Sequence, residues 1–201
     1  ERLAAHYGME IGDARPVAEA PGFFEVPLAG TERSGLLTLG GLLTLTSYRT
    51  RTSPVRRGKW VLEQLMCSGP PPPPPDVETD LGNVDQDLPL RERLAQHRED
   101  PRCAGCHDQM DPIGLTLESY TAVGSLARLP DGSIYSEPGF IDDPARTLRS
   151  ARELGQAVET DPRTVRCISS QLTRWALGRL DRTRKDAALI QTLDAQLLAE
   201  G

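Results

Sequence analysis

The stretch DPRCAGCHDQMDPIG, Asp100 to Gly114, decides how this chain is read. Asp100 followed by Pro101 is a helix start, because the carboxylate can accept from free backbone N–H groups and proline loses nothing in a first turn. Cys103-Ala-Gly-Cys106-His107 then falls on a helix, where side chains three and four apart share a face. Two thiols so placed can add across both vinyl groups of one haem while the adjacent imidazole takes the iron. Cys103 and Cys106 are candidate haem thioethers, and His107 is the candidate proximal axial ligand.

Other chemistries could use the same residues. Zinc wants four ligands, and structural sites commonly add a second C-x-x-C or a spaced His pair. Here zinc would need Cys103, Cys106, His107 and His97, a weaker fit. A redox dithiol follows a strand in a βαβ unit, and nothing in the chain reads as parallel α/β.

For the far side of an iron, the usual atoms come from His6, His97, Met9, Met66 and Met110. Met110 lies three residues past His107 on the same helix side, cannot readily reach the opposite face, and reads as packing. His97 precedes the Asp100-Pro101 break, where the chain can reverse. It is the leading distal candidate, with an exposed helix-face histidine as the alternative. Met66 is a weaker distal candidate, since a methionine on an apolar face is more often core. A five-coordinate iron also stays open. Asp108, Asp111 and Glu118 read as capping and solvent contacts, and Asp111-Pro112 as the start of the next turn.

Cys67 and Cys167 remain. They are either two buried free thiols or a disulfide, the second consistent with the oxidising compartments in which covalent haem is assembled.

Outward from the motif, Ser53-Pro54 and Asp161-Pro162 repeat the cap-and-proline signal. The first predicts a helix from Pro54 to about Cys67 with Val61, Leu62, Leu65 and Met66 on its buried face. The second predicts a helix carrying Val165, Ile168, Leu172 and Trp175 and ending near Gly178. Leu90, Leu94 and His97 mark another helix, and Ile190, Leu193 and Leu197 a last one. Pro70 to Pro75 form a polyproline II strut, read as a semi-rigid spacer before an SH3-type ligand. Pro130-Asp131-Gly132 is a turn between two extended pieces, a small β-hairpin. The twice-written Gly-Leu-Leu-Thr-Leu from Gly35 to Leu45 fits neither period decisively.

With 201 residues, 38% hydrophobic content and 26% charge, the chain is globular, but 17 Pro, 18 Gly and 4% aromatics imply long irregular loops. The net charge of -6 carries no basic patch and hence no nucleic-acid footprint. No apolar run is long enough to span a membrane, so the chain is not by itself an integral membrane protein. It begins without Met and without signal-peptide features, as expected of a processed or C-terminal portion of something longer. The expected fold is mainly α and c-type-cytochrome-like, with a connecting segment at 1–33, a helical module at 34–77 ending in the polyproline linker, and a haem-binding module at 78–201.

LTLTSYRTRTSPVRRGKWVLEQLMCSGPPPPPPDV (Leu43 to Val77) and LRERLAQHREDPRCAGCHDQMDPIGLTLESYTAVG (Leu90 to Gly124) closely resemble the C-terminal modules of the large exported cytochrome c proteins of planctomycete type. VRCISSQLTRWALGR (Val165 to Arg179) resembles their closing helix and ERLAAHYG the end of the preceding module. Those modules are domains of unknown function. The resemblance implies an extracytoplasmic protein with one covalent haem c on Cys103, Cys106 and His107. It also places His97, Met110, Asp111, Pro112 and Gly114 among the motif's recurring neighbours. LTLESYTAVG departs from the usual Phe- and Asn-containing version. The implied partners are redox proteins or the absent N-terminal portion of a longer chain.

The function read from these residues is electron transfer by one covalent haem in an extracytoplasmic complex, rather than catalysis. The alternatives are a peroxidase-like haem enzyme with an open coordination site and a structural haem subunit, with a zinc-binding module behind them. No nucleophile elbow, phosphate loop or EF-hand loop offers another catalytic set.

Overall fold

Three Ser/Asp-Pro pairs open three helices in the computed structural model, which describes residues 2–9, 12, 14–73, 75, 88–180 and 184–200. At each, the capping side chain accepts a backbone N–H: Ser53 from Arg56, Asp100 from Arg102 and Asp161 from Arg163. Proline then occupies the first turn, where its missing donor is harmless.

In chain order the elements are α1 (Arg2–His6), β1 (Arg15–Pro16), β2 (Phe24–Glu25), a 3-10 turn (Gly35–Thr38) and α2 (Gly40–Leu45). They continue with α3 (Pro54–Trp60), running directly into a π-helical turn (Val61–Leu65), then α4 (Leu90–His97) and α5 (Pro101–Leu115). The last three are α6 (Ala151–Glu159), α7 (Pro162–Leu177) and α8 (Ala187–Glu200). The fold is mainly α with long loops. Among the described residues, a two-stranded antiparallel sheet pairs Arg15 with Glu25 and Pro16 with Phe24.

The ambiguous Gly-Leu-Leu-Thr-Leu repeat resolves into the 3-10 turn and α2, contributing Leu37, Leu42 and Leu43 to the interior. Around them the core gathers Val61, Leu62 and Met66 from the π turn and its end, Met110 and Ile113 from α5, and Leu154 and Val158 from α6. This burial of apolar side chains supplies the main driving force for the fold.

α3 and α5 cross almost backbone to backbone. A Cβ built on Gly58 would stand 1.8 Å from the Met110 carbonyl oxygen, and one on Gly114 would stand 1.8 Å from that of Pro54. Only glycine permits this approach. Arg57, the residue before Gly58 in α3, reinforces it. Its buried guanidinium donates to the carbonyl oxygens of Leu117 (2.7 Å), Tyr120 (3.0 Å) and Thr121 (3.1 Å) and pairs with Glu118 at 2.7 Å. One side chain thereby supplies the Tyr120 carbonyl with its donor and adds a second donor to those of Leu117 and Thr121, which already accept from the backbone N–H groups of Tyr120 and Gly124. These contacts join parts of the chain on either side of the expected 77/78 boundary, which lies outside the described residues.

Cys67 and Cys167 form a disulfide with Cα atoms 5.3 Å apart, tying the end of the π turn to α7. The free-thiol alternative is thereby set aside. The bridge also bears on how α7 is oriented. The period is right, but Ile168, Leu172 and Trp175 face outward, Trp175 at 84% exposure, while Thr164, Cys167, Ser169, Ser170 and Thr173 face inward. The covalent tie at Cys167 selects the inward face over the apolar stripe. Gly178, at φ 60°, ends α7 in the left-handed conformation that glycine adopts freely. In α8 Ile190 is buried and Leu197 lies at the surface.

The turn at Pro130-Asp131-Gly132 forms, but around it the pairing reduces to a single bridge between Arg128 and Ile134. Asp131 accepts the Ser133 N–H (2.9 Å) and stabilises the turn locally. α6 has no counterpart among the expected helices. Its start is a reciprocal cap in which Ser150 accepts from the Glu153 N–H and Glu153 accepts from the Arg149 N–H. Among the described residues no helix is long and apolar enough to cross a membrane.

Candidate functional site

α5 divides into two halves. Pro101 to Gln109 is exposed or half-buried, and Met110 to Leu115 is wholly buried against α3 and the core. Cys103, Cys106 and His107 stand on the reachable half with both cysteines as free thiols of intermediate exposure. Their spacing of three and four residues puts them on one helix face. Cys106 packs against the edge of the core.

Asp100 fixes the start of this helix twice over. It accepts the Arg102 N–H at 2.9 Å and pairs with the Arg102 guanidinium at 2.7 Å, and these bonds hold its carboxyl down at about 2. Burial and the nearby Asp100 charge push the Cys103 thiol up. Its thiolate is therefore disfavoured, unlike the depressed thiols of redox dithiols.

The reading of Asp111-Pro112 as the start of a new turn is overturned, because α5 continues through Pro112 to Leu115. Proline removes the hydrogen bond to the carbonyl four residues back, that of Asp108, and Asp108 is exposed so that water can take its place. The continued helix gives Asp111 a role the sequence reading missed. Fully buried, it accepts from His107 Nδ1 at 3.0 Å and 3.2 Å through its two oxygens. A carboxylate can only accept here, so Nδ1 carries a proton, and in the neutral imidazole the lone pair is then on Nε2. The i,i+4 spacing of His107 and Asp111 on a helix was the available signal. Glu118, also read as a solvent contact, is instead buried against Arg57.

α4 delivers the neighbours of His107. The His97 ring meets the His107 ring edge-on with centroids 4.7 Å apart. Partial burial, followed by the adjacent His107, lowers the affinity of His97 for a proton. Arg98 reaches Asp108 at 3.8 Å and Asp111 at 4.0 Å. Met66 and Met110 lie in the core, 2% and 6% exposed. Among the described residues, no three or more His, Cys, Asp or Glu side chains converge as a bound metal ion would require.

The residues present suit a covalent haem by the chemistry of the donor set. Two reachable thiols and an imidazole share a helix face, and that imidazole has Nε2 free for iron because Nδ1 is already engaged. A second imidazole is at hand in His97. His97 would be the residue on this chain to offer the iron a second imidazole nitrogen.

This geometry lies largely within a stretch that has recognisable relatives. Residues 33–129 match the family described as PSCyt3, a protein of unknown function (DUF1588). The match covers just under half of the chain, from the 3-10 turn through α5 and the turn beyond it. It fits, at family level, the resemblance to planctomycete-type cytochrome c modules, and the name PSCyt3 hints at a cytochrome-like role. No curated protein matches the chain, and no solved structure does.

Proposed function

We propose that this chain is a c-type cytochrome module that carries one haem on Cys103, Cys106 and His107 and passes electrons to a partner protein outside the cytoplasm. The observation that carries the reading is the placing of both free thiols and His107 on one reachable helix face, with His107 Nδ1 donated to the buried Asp111 carboxylate. The bound haem would supply a one-electron couple at its iron. The protein's own part is to present the two thiols, to orient His107 through Asp111, and to hold the helix in place from its buried half.

Competing uses of the pentad have less support. Zinc asks for four converging ligands. A redox dithiol asks for a depressed cysteine, whereas Cys103 is shifted the other way. The disulfide between Cys67 and Cys167 is compatible with an oxidising, extracytoplasmic location.

The test is a pyridine haemochrome spectrum of the denatured protein together with its intact mass, after expression with a haem-attachment system. The expected result is a mass raised by one haem and a spectrum of thioether-linked haem, both lost in Cys103→Ala/Cys106→Ala. A mass equal to the bare polypeptide would overturn the reading.

A further inference from the structure

We propose that Asp111 is a positioning residue that sets the reduction potential of the haem bound through His107, holding it low by placing a full negative charge behind the imidazole. The inference rests on the haem reading above and extends it from attachment to tuning. An imidazole that donates its N–H to a carboxylate gains imidazolate character and becomes a stronger electron donor, which favours the ferric over the ferrous state.

Three observations support it. Asp111 is fully buried, and both its oxygens face His107 Nδ1, at 3.0 Å and 3.2 Å. Low-dielectric surroundings magnify the effect of that charge on its neighbour. The two residues occupy positions i and i+4 of one helix, so their contact is fixed by the helix itself and needs no distant element. The facing cation is held off: Arg98 stands 4.0 Å from Asp111 and also within 3.8 Å of Asp108, so it tempers the carboxylate without making a close ion pair. Asp108, one residue from His107 but 65% exposed, provides the natural comparison, a nearby carboxylate whose field water screens.

The test is potentiometry of the full chain with its haem attached, comparing wild type with Asp111→Asn, Asp108→Asn and Arg98→Gln. Asp111→Asn keeps the shape and a carbonyl acceptor, so a purely orienting role would survive it, while the charge is lost. Its reduction equilibrium should move about tenfold or more toward the ferrous state, about 59 mV for one electron. The iron–His107 stretching frequency, read by resonance Raman after photolysis of the carbon monoxide adduct, should fall with it. Asp108→Asn should shift neither. Arg98→Gln, which removes the tempering cation from the surface, should move the potential in the opposite direction from Asp111→Asn.

A haem-loaded Asp111→Asn whose potential matches that of wild type or of Asp108→Asn would overturn the inference and leave the haem reading standing. Should Asp111→Asn fail to fold, an unchanged potential in Arg98→Gln would overturn the inference instead. Wild-type protein without attached haem would overturn both.

Discussion

Replacing Gly58 or Gly114 by alanine sets two effects of opposite sign against each other. Both residues lie inside helices, where alanine is intrinsically favoured over glycine by about 1 kcal/mol. Propensity alone therefore makes either substitution stabilising. The crossing of α3 and α5 makes it the reverse. The new Cβ would stand 1.8 Å from a backbone carbonyl oxygen of the other helix, Met110 in one case and Pro54 in the other. An ordinary carbon–oxygen contact needs about 3.3 Å, so the helices must part by about 1.5 Å. Neither obstacle is the far end of a flexible side chain. A gap of even about 1 Å forfeits up to half of the dispersion attraction across an interface, and here the interface includes Ile113 and Met110. The strain and lost packing should cost roughly 3 to 5 kcal/mol, leaving a net destabilisation of about 2 to 4 kcal/mol after the propensity gain.

Gly105 supplies the control on the same helix. No atom lies within 4 Å of a Cβ built there, so Gly105→Ala should keep only the propensity gain. Urea unfolding followed by far-ultraviolet circular dichroism should give midpoints ordered Gly105→Ala, wild type, then Gly58→Ala and Gly114→Ala together at the bottom. In melting temperature the last two should fall by roughly 5 to 15 °C, at about 2 to 4 °C per kcal/mol for a chain of this size. If either crossing variant melts above wild type, the helices are not in backbone contact and the account of the core is wrong.

Three further outcomes follow from particular contacts. Cleaving the Cys67–Cys167 bridge, or replacing both cysteines by alanine, opens a loop of 100 residues and should cost about 4 to 5 kcal/mol, and an unchanged melting temperature under reductant would contradict this. Arg57→Met should destabilise more than Glu118→Gln in the same urea assay. The arginine change leaves the Tyr120 carbonyl without its donor, at about 1 to 3 kcal/mol, takes the second donor from those of Leu117 and Thr121, and leaves Glu118 buried without its cation, whereas the glutamine still accepts from Arg57; the reverse order would refute the assignment of Arg57 as the donor that closes the turn. For Asp100, the folded carboxyl is depressed from 3.8 to about 2, so its stabilisation is present above the unfolded value and is lost as pH falls between the two. The advantage of wild type over Asp100→Ala in urea midpoint should therefore be close to its full size above pH 4 and shrink to a small fraction by pH 2, and an advantage that persists undiminished at pH 2 would show that the cap is not ionic.

What the sequence could disclose depended on whether the deciding interaction was local. The three capped proline starts are local, and Ser53, Asp100 and Asp161 each cap the helix expected of them. α6 was equally local: Ser150 and Glu153 spell a capping box that the reading passed over. The outward face of α7 was not legible. Its apolar residues recur at helical spacing, but the partner of Cys167 lies 100 residues away and decides which face turns in. Asp111 falls between these cases. Its spacing from His107 is visible in the sequence, yet Pro112 masked it by suggesting that the helix had ended. Glu118 was misread for a related reason, since nothing near it in sequence announces Arg57, 61 residues earlier.

The proposed site should separate stability from tuning along α5. The contact between His107 and Asp111 is intrahelical, so its geometry survives as long as α5 is helical, whatever the helix packs against. His97 and Arg98 reach the same imidazole and carboxylate from α4, and their positions depend on how α4 lies against α5. Changes at the α3–α5 crossing should then lower stability while leaving the local His107–Asp111 contact intact in the molecules that remain folded. Changes in α4 should alter the surroundings of His107 with little effect on stability, because Leu94 is the α4 side chain buried in the interior. The anchoring of the helix and the chemistry at its exposed half are thus carried by different residues. The buried Asp111, at the border between the two halves, is where they meet.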